Sequence, residues 1–263
     1  MFTGPATPLT QKGLDALSVE LNVPLPALWS VLAVETSGCG FLSDRRPQIL
    51  FERHWFAKLT HGKFNDTAPD ISNTVAGGYG SRGAPQYDRL ERAIVLDRTA
   101  ALRSTSWGLG QIMGFNAETV GFANVEAMVQ ACVASEDGQM RAMCGFITSA
   151  KLADRLRNKD WAGFAYRYNG TEFQKNKYDE KLATYNARYE TGPLPDLAVR
   201  GTQMSLMYLG YSAGGVDGWF GAQTQRALVT FQKSQNIAQT GQPDAITQAA
   251  LQAALAATTA SVG

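Results

Sequence analysis

Hydrophobic residues recur every three or four positions in several parts of the chain, which is the spacing of an amphipathic helix. Residues 10–21, with Leu14 and Leu17 on one face, fit this pattern near the start. A helix of about fifteen residues is predicted around residues 90–102 by the same spacing. Residues 120–157 also follow it, so the sequence predicts a mainly α fold.

The stretch from Pro24 to Phe41 adds start and stop signals to this spacing. Pro24 and Pro26 suit the first turn of a helix, where a missing N–H costs nothing. Gly38 and Gly40 can end the helix in left-handed conformations. The residues that fall three and four apart on one face are Leu28, Val31, Leu32 and Glu35.

Glu35 is therefore a carboxylate at the last turn of an apolar helix. Burial and the helix C-terminus both disfavour its charged form, which raises the pKa of such a group. A glutamic acid kept protonated in this way can act as a general acid. The alternative is a surface glutamate near a helix end.

Three other stretches contain polar residues or glycines that could form parts of a binding cleft. Residues 41–56 begin as a loop and continue as a short apolar segment that contains the polar residue Glu52. The polar residues of this segment either form the wall of a cleft or pair with each other as a structural cluster. Residues 60–88 are rich in Gly, Asn, Asp and Pro, which is typical of a loop or hairpin, here long enough for a cleft rim. Residues 104–116 offer the aromatic face of Trp107 and the amide of Gln111 beside close glycines.

Composition narrows the class of protein. The chain has 263 residues, 44% of them hydrophobic and 18% charged, with a net charge of +1. A broad nucleic-acid surface is therefore not expected. The first eight residues lack the pattern of a secretory signal, and no apolar run is long enough to span a bilayer, so we expect a protein made in the cytosol.

Cysteine and histidine usage argues against disulfide and metal frameworks. The three cysteines, Cys39, Cys132 and Cys144, are an odd number, and they are most simply buried thiols, although one pair could bridge. The two histidines, His54 and His61, lack zinc-ligand spacing. We predict no metal and no cofactor, with His54 held by polar neighbours.

A change of composition divides the chain. Residues 190–196 hold a glycine and two prolines and read as a short, semi-stiff linker. We therefore predict a domain over residues 1–189, a linker over 190–196 and a second domain over 197–263.

Three motifs in the first domain occur in a fixed order: Glu35-Thr36-Ser37-Gly38, Gly108-Leu109-Gly110-Gln111-Ile112-Met113 and Ala165-Tyr166-Arg167-Tyr168-Asn169-Gly170. This order resembles the lysozyme-like superfamily, which includes lytic transglycosylases and goose-type lysozymes. The phrases over residues 46–56 and 106–114 are similar to the N-acetylmuramidase domain of bacteriophage endolysins. The resemblance implies a lysozyme-like fold with a small β-hairpin or loop region, and a catalytic role for Glu35.

The second domain resembles the three-helix peptidoglycan-binding module. The resemblance rests on Leu209-Gly210-Tyr211, on the turn Val216-Asp217-Gly218-Trp219-Phe220-Gly221, and on the helix that follows with Ala227, Leu228 and Phe231. It implies wall binding through Tyr211, Asp217 and Trp219, while core packing is the alternative for both aromatic residues. Thr202 departs from the family, which has an apolar residue there.

The resemblance implies cleavage of peptidoglycan between N-acetylmuramic acid and N-acetylglucosamine. Glu35 would protonate the leaving oxygen, and Gln111, Tyr168, Asn169 and Trp107 would hold the sugars. The candidates for a second catalytic carboxylate are Asp44, Glu52, Asp66, Asp70 and Asp97, of which Glu52 is preferred.

Two other functions stay open at this point: a lytic transglycosylase that uses the same glutamate, and a non-catalytic, wall-binding phage structural protein. For the enzyme, we expect a monomer whose partner is peptidoglycan, with no nucleic acid and no integral membrane segment. It would stay in the host cytoplasm until release through a holin-type pore, and then act on the wall in the periplasm for host lysis.

Overall fold

In the computed structural model, the chain is described over residues 1–35, 38–171 and 173–260, without the side chains of Glu35, Thr259 and Ala260. The fold is mainly α, as the sequence predicts. The helices of the first part of the chain are Gln11–Leu21 (α1), Leu25–Glu35 (α2), Arg53–Leu59 (α3), Pro85–Leu96 (α4), Arg98–Arg103 (α5), Val125–Ala134 (α6), Glu136–Ser149 (α7), Ala153–Arg157 (α8), Trp161–Asn169 (α9) and Tyr178–Thr191 (α10).

Both helices predicted near the start are present. Thr10 caps α1 by accepting a hydrogen bond from the Gly13 N–H, and the predicted leucine face of α1 is buried. Leu28, Val31 and Leu32 of α2 are buried as well. The long helix α10 packs along α2, so the helix that ends at Glu35 lies inside the fold.

Three short strands form an antiparallel sheet in the order β1-β2-β3: Ile49–Phe51 (β1), Thr105–Trp107 (β2) and Ile112–Met113 (β3). The strands β2 and β3 form a hairpin in which Trp107 pairs with Ile112. Residues 60–84, by contrast, form a loop of turns. Gln86 anchors this loop, because its side-chain amide donates to the carbonyls of Tyr79 and Ser81 and accepts from the Phe51 N–H.

Two stretches that were predicted as continuous helices are each divided into separate helices. The stretch 90–102 is divided at Asp97, which is extended and caps α5 by accepting from the Ala100 N–H. The stretch 120–157 is divided at Ser135, which caps α7 through the Gly138 N–H. In both cases a short polar side chain satisfies a helix N-terminus, and this favours a new start over continuation.

One large core fills the first part of the chain, with Trp107, Tyr87, Phe51 and Phe56 among its largest buried side chains. Among the described residues, no single helix is both long and apolar enough to cross a bilayer. The helices Gln11–Leu21 and Leu25–Val34 reach that length and hydropathy only when they are taken together, and a bend of 110° separates them.

The C-terminal part is the predicted three-helix unit, formed by Leu197–Tyr208 (α11), Ala222–Ser234 (α12) and Ala245–Ala260 (α13). The predicted core residues Ala227, Leu228 and Phe231 are buried between these helices. Thr202 is also buried, and its hydroxyl accepts from the Gln248 side chain of α13 at 2.7 Å. A hydrogen bond between helices therefore takes the place of an apolar contact.

The two parts of the chain pack closely on each other. Met204 and Val216 of the C-terminal part share a buried cluster with Cys39 and Phe41. The Tyr208 hydroxyl donates to the carbonyl of Ala6 at 2.9 Å. The segment 192–196 thus joins parts that are in direct contact.

Candidate active site

A cleft of about 750 Å³ runs over the sheet and past the end of α2. It is lined by backbone and side chains from separate parts of the first domain, among them Val34, Cys39, Glu52, Gln111, Asn169 and Lys181. Residues of the second and third sequence motifs and the two residues that flank the first motif therefore line one cavity.

Glu35 is the last residue of α2, as predicted. Its side chain lies outside the described part of the structure, as do the neighbouring Thr36 and Ser37 of the same motif. Val34 and Cys39, on either side of these residues, both line the cleft. The chain around Glu35 is therefore part of the cleft wall.

Glu52 also lines the cleft, directly before α3. Its Oε2 lies 3.1 Å from Nδ1 of His54, and its side chain is 15% exposed. Burial raises the pKa of Glu52, while His54, Tyr79 and Arg89 act in the opposite direction. Glu52 is thus a half-buried carboxyl group whose protonated form is favoured relative to a glutamate in water. The polar neighbour of His54 is thus Glu52, but the two facing atoms lie close together without forming a hydrogen bond.

Gln111 occupies the turn between β2 and β3, with a positive φ of 48°. Its side-chain oxygen accepts from the Ser106 hydroxyl at 2.9 Å, and its nitrogen donates to the Gly108 carbonyl at 2.8 Å. The amide therefore holds the turn in place while it faces the cleft.

Trp107 contradicts the prediction that it contacts sugars. Its indole is 1% exposed, packs against Phe2, and donates to the Leu102 carbonyl at 3.2 Å. The alternation of side chains along a strand explains this placement, because Ser106 faces the cleft and its neighbour faces the core.

Tyr168 and Asn169 end α9 next to the same turn. The Tyr168 hydroxyl donates to the Gly110 carbonyl at 3.0 Å, and its ring stacks on Phe164. Asn169 lines the cleft. The structure thus brings Asn169 to the cavity and places Tyr168 as a support of the glycine-rich turn.

Gln139 of α7 is a site residue that the sequence analysis missed. Its Oε1 accepts from the Leu109 N–H at 2.8 Å, and its Nε2 donates to the carbonyls of Gly40 and Cys132. It therefore joins the loop after α2 to the glycine-rich turn. A usable signal was present, because Gln139 falls three residues from Glu136 on the face of α7 that carries Met143.

Two cationic side chains at the cleft were also missed. Arg82 reaches the cleft from the loop before α4, and Lys181 reaches it from α10. Charged residues in a loop and on a helix surface carry no sequence signal that separates a cleft wall from an ordinary solvated face.

The predicted wall-binding residues surround the turn before α12. The Asp217 carboxylate accepts from the Trp219 N–H at 2.9 Å and from the Gln203 side chain at 3.0 Å. Trp219 is half-buried, with the guanidinium of Arg188 4.6 Å from its ring. Tyr211 packs edge-on against Phe231, which agrees with the packing interpretation of that residue.

The structure describes all three cysteines and the residues that could act as metal ligands within the described ranges. The three cysteines are free and buried. Within the described ranges, no group of three or more His, Cys, Asp or Glu side chains is arranged to hold a metal ion.

Two protein-family models match the chain. The N-acetylmuramidase model matches residues 24–190, and the model of a putative peptidoglycan-binding domain matches residues 196–251. Among solved structures, the crystal structure of the Burkholderia AP3 phage endolysin is similar, with a TM-score of 0.66 and 39% sequence identity. That similarity covers 70% of this chain and 71% of the other. No curated protein sequence matches.

Proposed function

Because the chain belongs to the N-acetylmuramidase family, we propose that Glu35 is the general acid with which it cleaves the glycan of peptidoglycan. The protein is a glycoside hydrolase of the bacterial cell wall, and its C-terminal part is a peptidoglycan-binding domain. It is an endolysin, as is the similar protein of the Burkholderia AP3 phage. The scissile bond joins N-acetylmuramic acid to N-acetylglucosamine.

The observation that carries this assignment is the position of the end of α2. Val34 and Cys39 flank Glu35 in the chain and both line the 750 Å³ cleft. The C-terminal end of a helix disfavours a negative charge, and so favours the protonated carboxyl group that a general acid needs. Glu35 would then donate its proton to the leaving glycosidic oxygen.

Glu52 is proposed as the second, supporting carboxyl group. It lines the same cleft, and its Oε2 lies 3.1 Å from Nδ1 of His54. Hydrolysis requires a water molecule opposite the leaving group, and inverting enzymes leave about 6.5–9.5 Å between their two carboxyl groups for it. We propose that Glu52 and the loop over residues 60–84 supply the polar groups around this water.

Substrate binding is assigned to the polar side chains at the cleft. Gln111 and Asn169 line it and can hydrogen-bond N-acetyl groups, while Tyr168 acts through the turn that it supports. On the C-terminal domain, Tyr211, Asp217 and Trp219 remain the proposed wall-binding residues. Trp219 can offer the part of its ring that Arg188 leaves uncovered.

The domains over residues 1–189 and 197–263 remain part of the proposal, but α10 continues to Thr191, so the linker predicted over 190–196 is reduced to residues 192–196. We also propose that the enzyme acts as a monomer without nucleic acid. It resides in the host cytoplasm until release through a holin-type pore, and then degrades the wall.

The test is the Glu35→Gln variant, with Glu126→Gln as control. Glu126 forms an exposed ion pair with Arg98. Loss of a general acid lowers the rate by roughly two to four orders of magnitude. We expect this loss for Glu35→Gln alone, measured as turbidity clearance of outer-membrane-stripped cells at an unchanged melting temperature. Clearance by Glu35→Gln at the wild-type rate would remove Glu35 from the mechanism.

Mass spectrometry of the digested wall tests the reaction type. Hydrolysis yields products with a free reducing N-acetylmuramic acid. Products lighter by one water, with 1,6-anhydro ends, would instead identify a lytic transglycosylase that uses the same glutamate.

A further inference from the structure

The loop that continues α2 lies against the C-terminal domain. We call Gly38–Gly40 the post-helix loop. Gly38 has a φ of +90°, and a Cβ there would stand 3.2 Å from the carbonyl oxygen of Val216. A side chain at this position would therefore be strained and crowded by the backbone of the C-terminal domain.

Arg200 of α11 reaches the same loop from the C-terminal domain. Its Nη2 donates to the Gly38 carbonyl at 2.7 Å and to Oε1 of Glu136 at 2.7 Å, and its Nη1 donates to Oε2 of Glu136. The Arg200 side chain is 4% exposed and that of Glu136 is 0% exposed. This is a forked, fully buried ion pair across the domain boundary.

Glu136 holds the other end of the post-helix loop. Its Oε1 accepts from the Gly40 N–H at 2.9 Å, and its Oε2 accepts from the Leu9 N–H at 2.9 Å. The carbonyl of Gly38 and the amide of Gly40 are therefore both fixed by one ion pair. Cys39, between these two glycines, lines the catalytic cleft.

We propose that Arg200, a residue of the wall-binding domain, is a positioning residue for the catalytic glutamate. It fixes the loop at the end of α2, so that the wall-binding domain is part of the scaffold of the active site. This inference rests on the proposed role of Glu35 as general acid. A displacement of a catalytic group by about 1 Å can lower the rate by about a hundredfold.

The test uses the full-length chain with Arg200→Lys. Lysine keeps a positive charge beside Glu136, but its single ammonium group cannot reproduce the fork to the carboxylate and to the Gly38 carbonyl. The matched control is Tyr208→Phe, which removes another contact of α11 with the N-terminal domain, the hydrogen bond to Ala6. The Tyr208 ring packs against the cluster that contains Cys39, and phenylalanine keeps this ring. Tyr208→Phe therefore removes only the hydroxyl group, whose hydrogen-bond partner Ala6 lies outside the post-helix loop.

The substrate is a soluble, peptide-free tetrasaccharide of alternating N-acetylglucosamine and N-acetylmuramic acid, so that tethering to the insoluble wall does not enter the rate. We expect Arg200→Lys to lower kcat about tenfold, with KM changed less than about twofold, because the loop moves while the sugar-binding walls stay. Hydrogen exchange of the Gly40 amide should become faster in this variant. Tyr208→Phe should keep the wild-type kcat and the wild-type exchange of Gly40.

The inference is overturned if Arg200→Lys keeps the wild-type kcat, or if both variants lose kcat equally. If Arg200→Lys does not fold, the double variant Arg200→Met with Glu136→Gln removes both charges together, and the same loss of kcat is expected. Full activity of Glu35→Gln on the tetrasaccharide would overturn the proposed function itself, a result that is distinct from any outcome at Arg200.

Discussion

Gly108 at the glycine-rich turn allows a quantitative test of how the cleft is held together. Its φ is +66°, and a Cβ added there would stand 2.5 Å from the Gln139 side chain. Gly108→Ala therefore has two costs: a left-handed backbone, about 1–2 kcal/mol, and displacement of Gln139. The Gln139 amide makes three hydrogen bonds, to Leu109, Gly40 and Cys132. At about 0.5–1.5 kcal/mol each, the loss of the three hydrogen bonds adds roughly 1.5–4.5 kcal/mol.

The matched control is Gly121→Ala. Gly121 has a similar left-handed backbone, with a φ of +92°, but a Cβ there would meet no atom within 4 Å. Its cost is the backbone term alone, about 1–2 kcal/mol. The difference between the two variants therefore isolates the contribution of Gln139.

Urea denaturation followed by circular dichroism measures this difference, and turbidity clearance gives the activity of each variant. We expect Gly108→Ala to lose roughly 1.5–4.5 kcal/mol more of the free energy of unfolding than Gly121→Ala. We also expect it to lose most of its activity, because Gln139 also fixes Gly40. Equal destabilisation of the two variants would refute the role assigned to Gln139.

Two further predictions concern titration and thiols. Burial raises the pKa of Glu52 from its ordinary value of 4.5, so the folded state binds the proton more tightly than the unfolded state does. The free energy of unfolding should therefore fall as pH rises from 4.5 through the folded-state pKa. Urea denaturation across this range should show that Glu52→Gln lacks this decrease, and an identical pH profile in both proteins would contradict it. Burial raises the pKa of Cys39, Cys132 and Cys144 to about 12, so a thiol reagent at pH 8 should label none of them in the native protein and all three in denaturant. Rapid labelling of the native protein would show that a cysteine is accessible.

Local periodicity predicted α1 and α2 as separate helices, but it merged α4 with α5, and α6 with α7 and α8. The buried face of α1 follows from apolar residues three and four apart, because burial of one face stabilises a helix in a folded protein. In α2 the core surrounds the helix, and all residues from Ala27 to Leu32 are buried. The breaks at Asp97 and Ser135 were missed because the same apolar spacing continues across them. Each break has a short-range signal, a capping side chain that accepts from the N–H three residues later.

The site was only partly predictable, because many of its contacts join residues that are far apart in the sequence. The motif order indicated that Gln111 and Asn169 belong to one site, and both line the cleft, as do Val34 and Cys39 on either side of the first motif. Trp107 was predicted to contact the sugars. Side chains alternate between the two faces of a strand, and the sequence of this short strand does not say which face points toward the cleft. The pairing of Arg200 with Glu136 spans 64 residues and joins two domains, and no local pattern encodes such a contact.

The buried pair also bears on the construction of chimeric lytic enzymes. Wall-binding domains are natural units of exchange, and residues 190–196 look like a convenient junction. In this chain, a replacement domain without a counterpart to Arg200 would leave Glu136, which is 0% exposed, without a cation. Loss of one partner of a buried ion pair costs about 3–5 kcal/mol. A graft into this catalytic domain should therefore retain α11 and the segment around Val216, and vary only the outer helices.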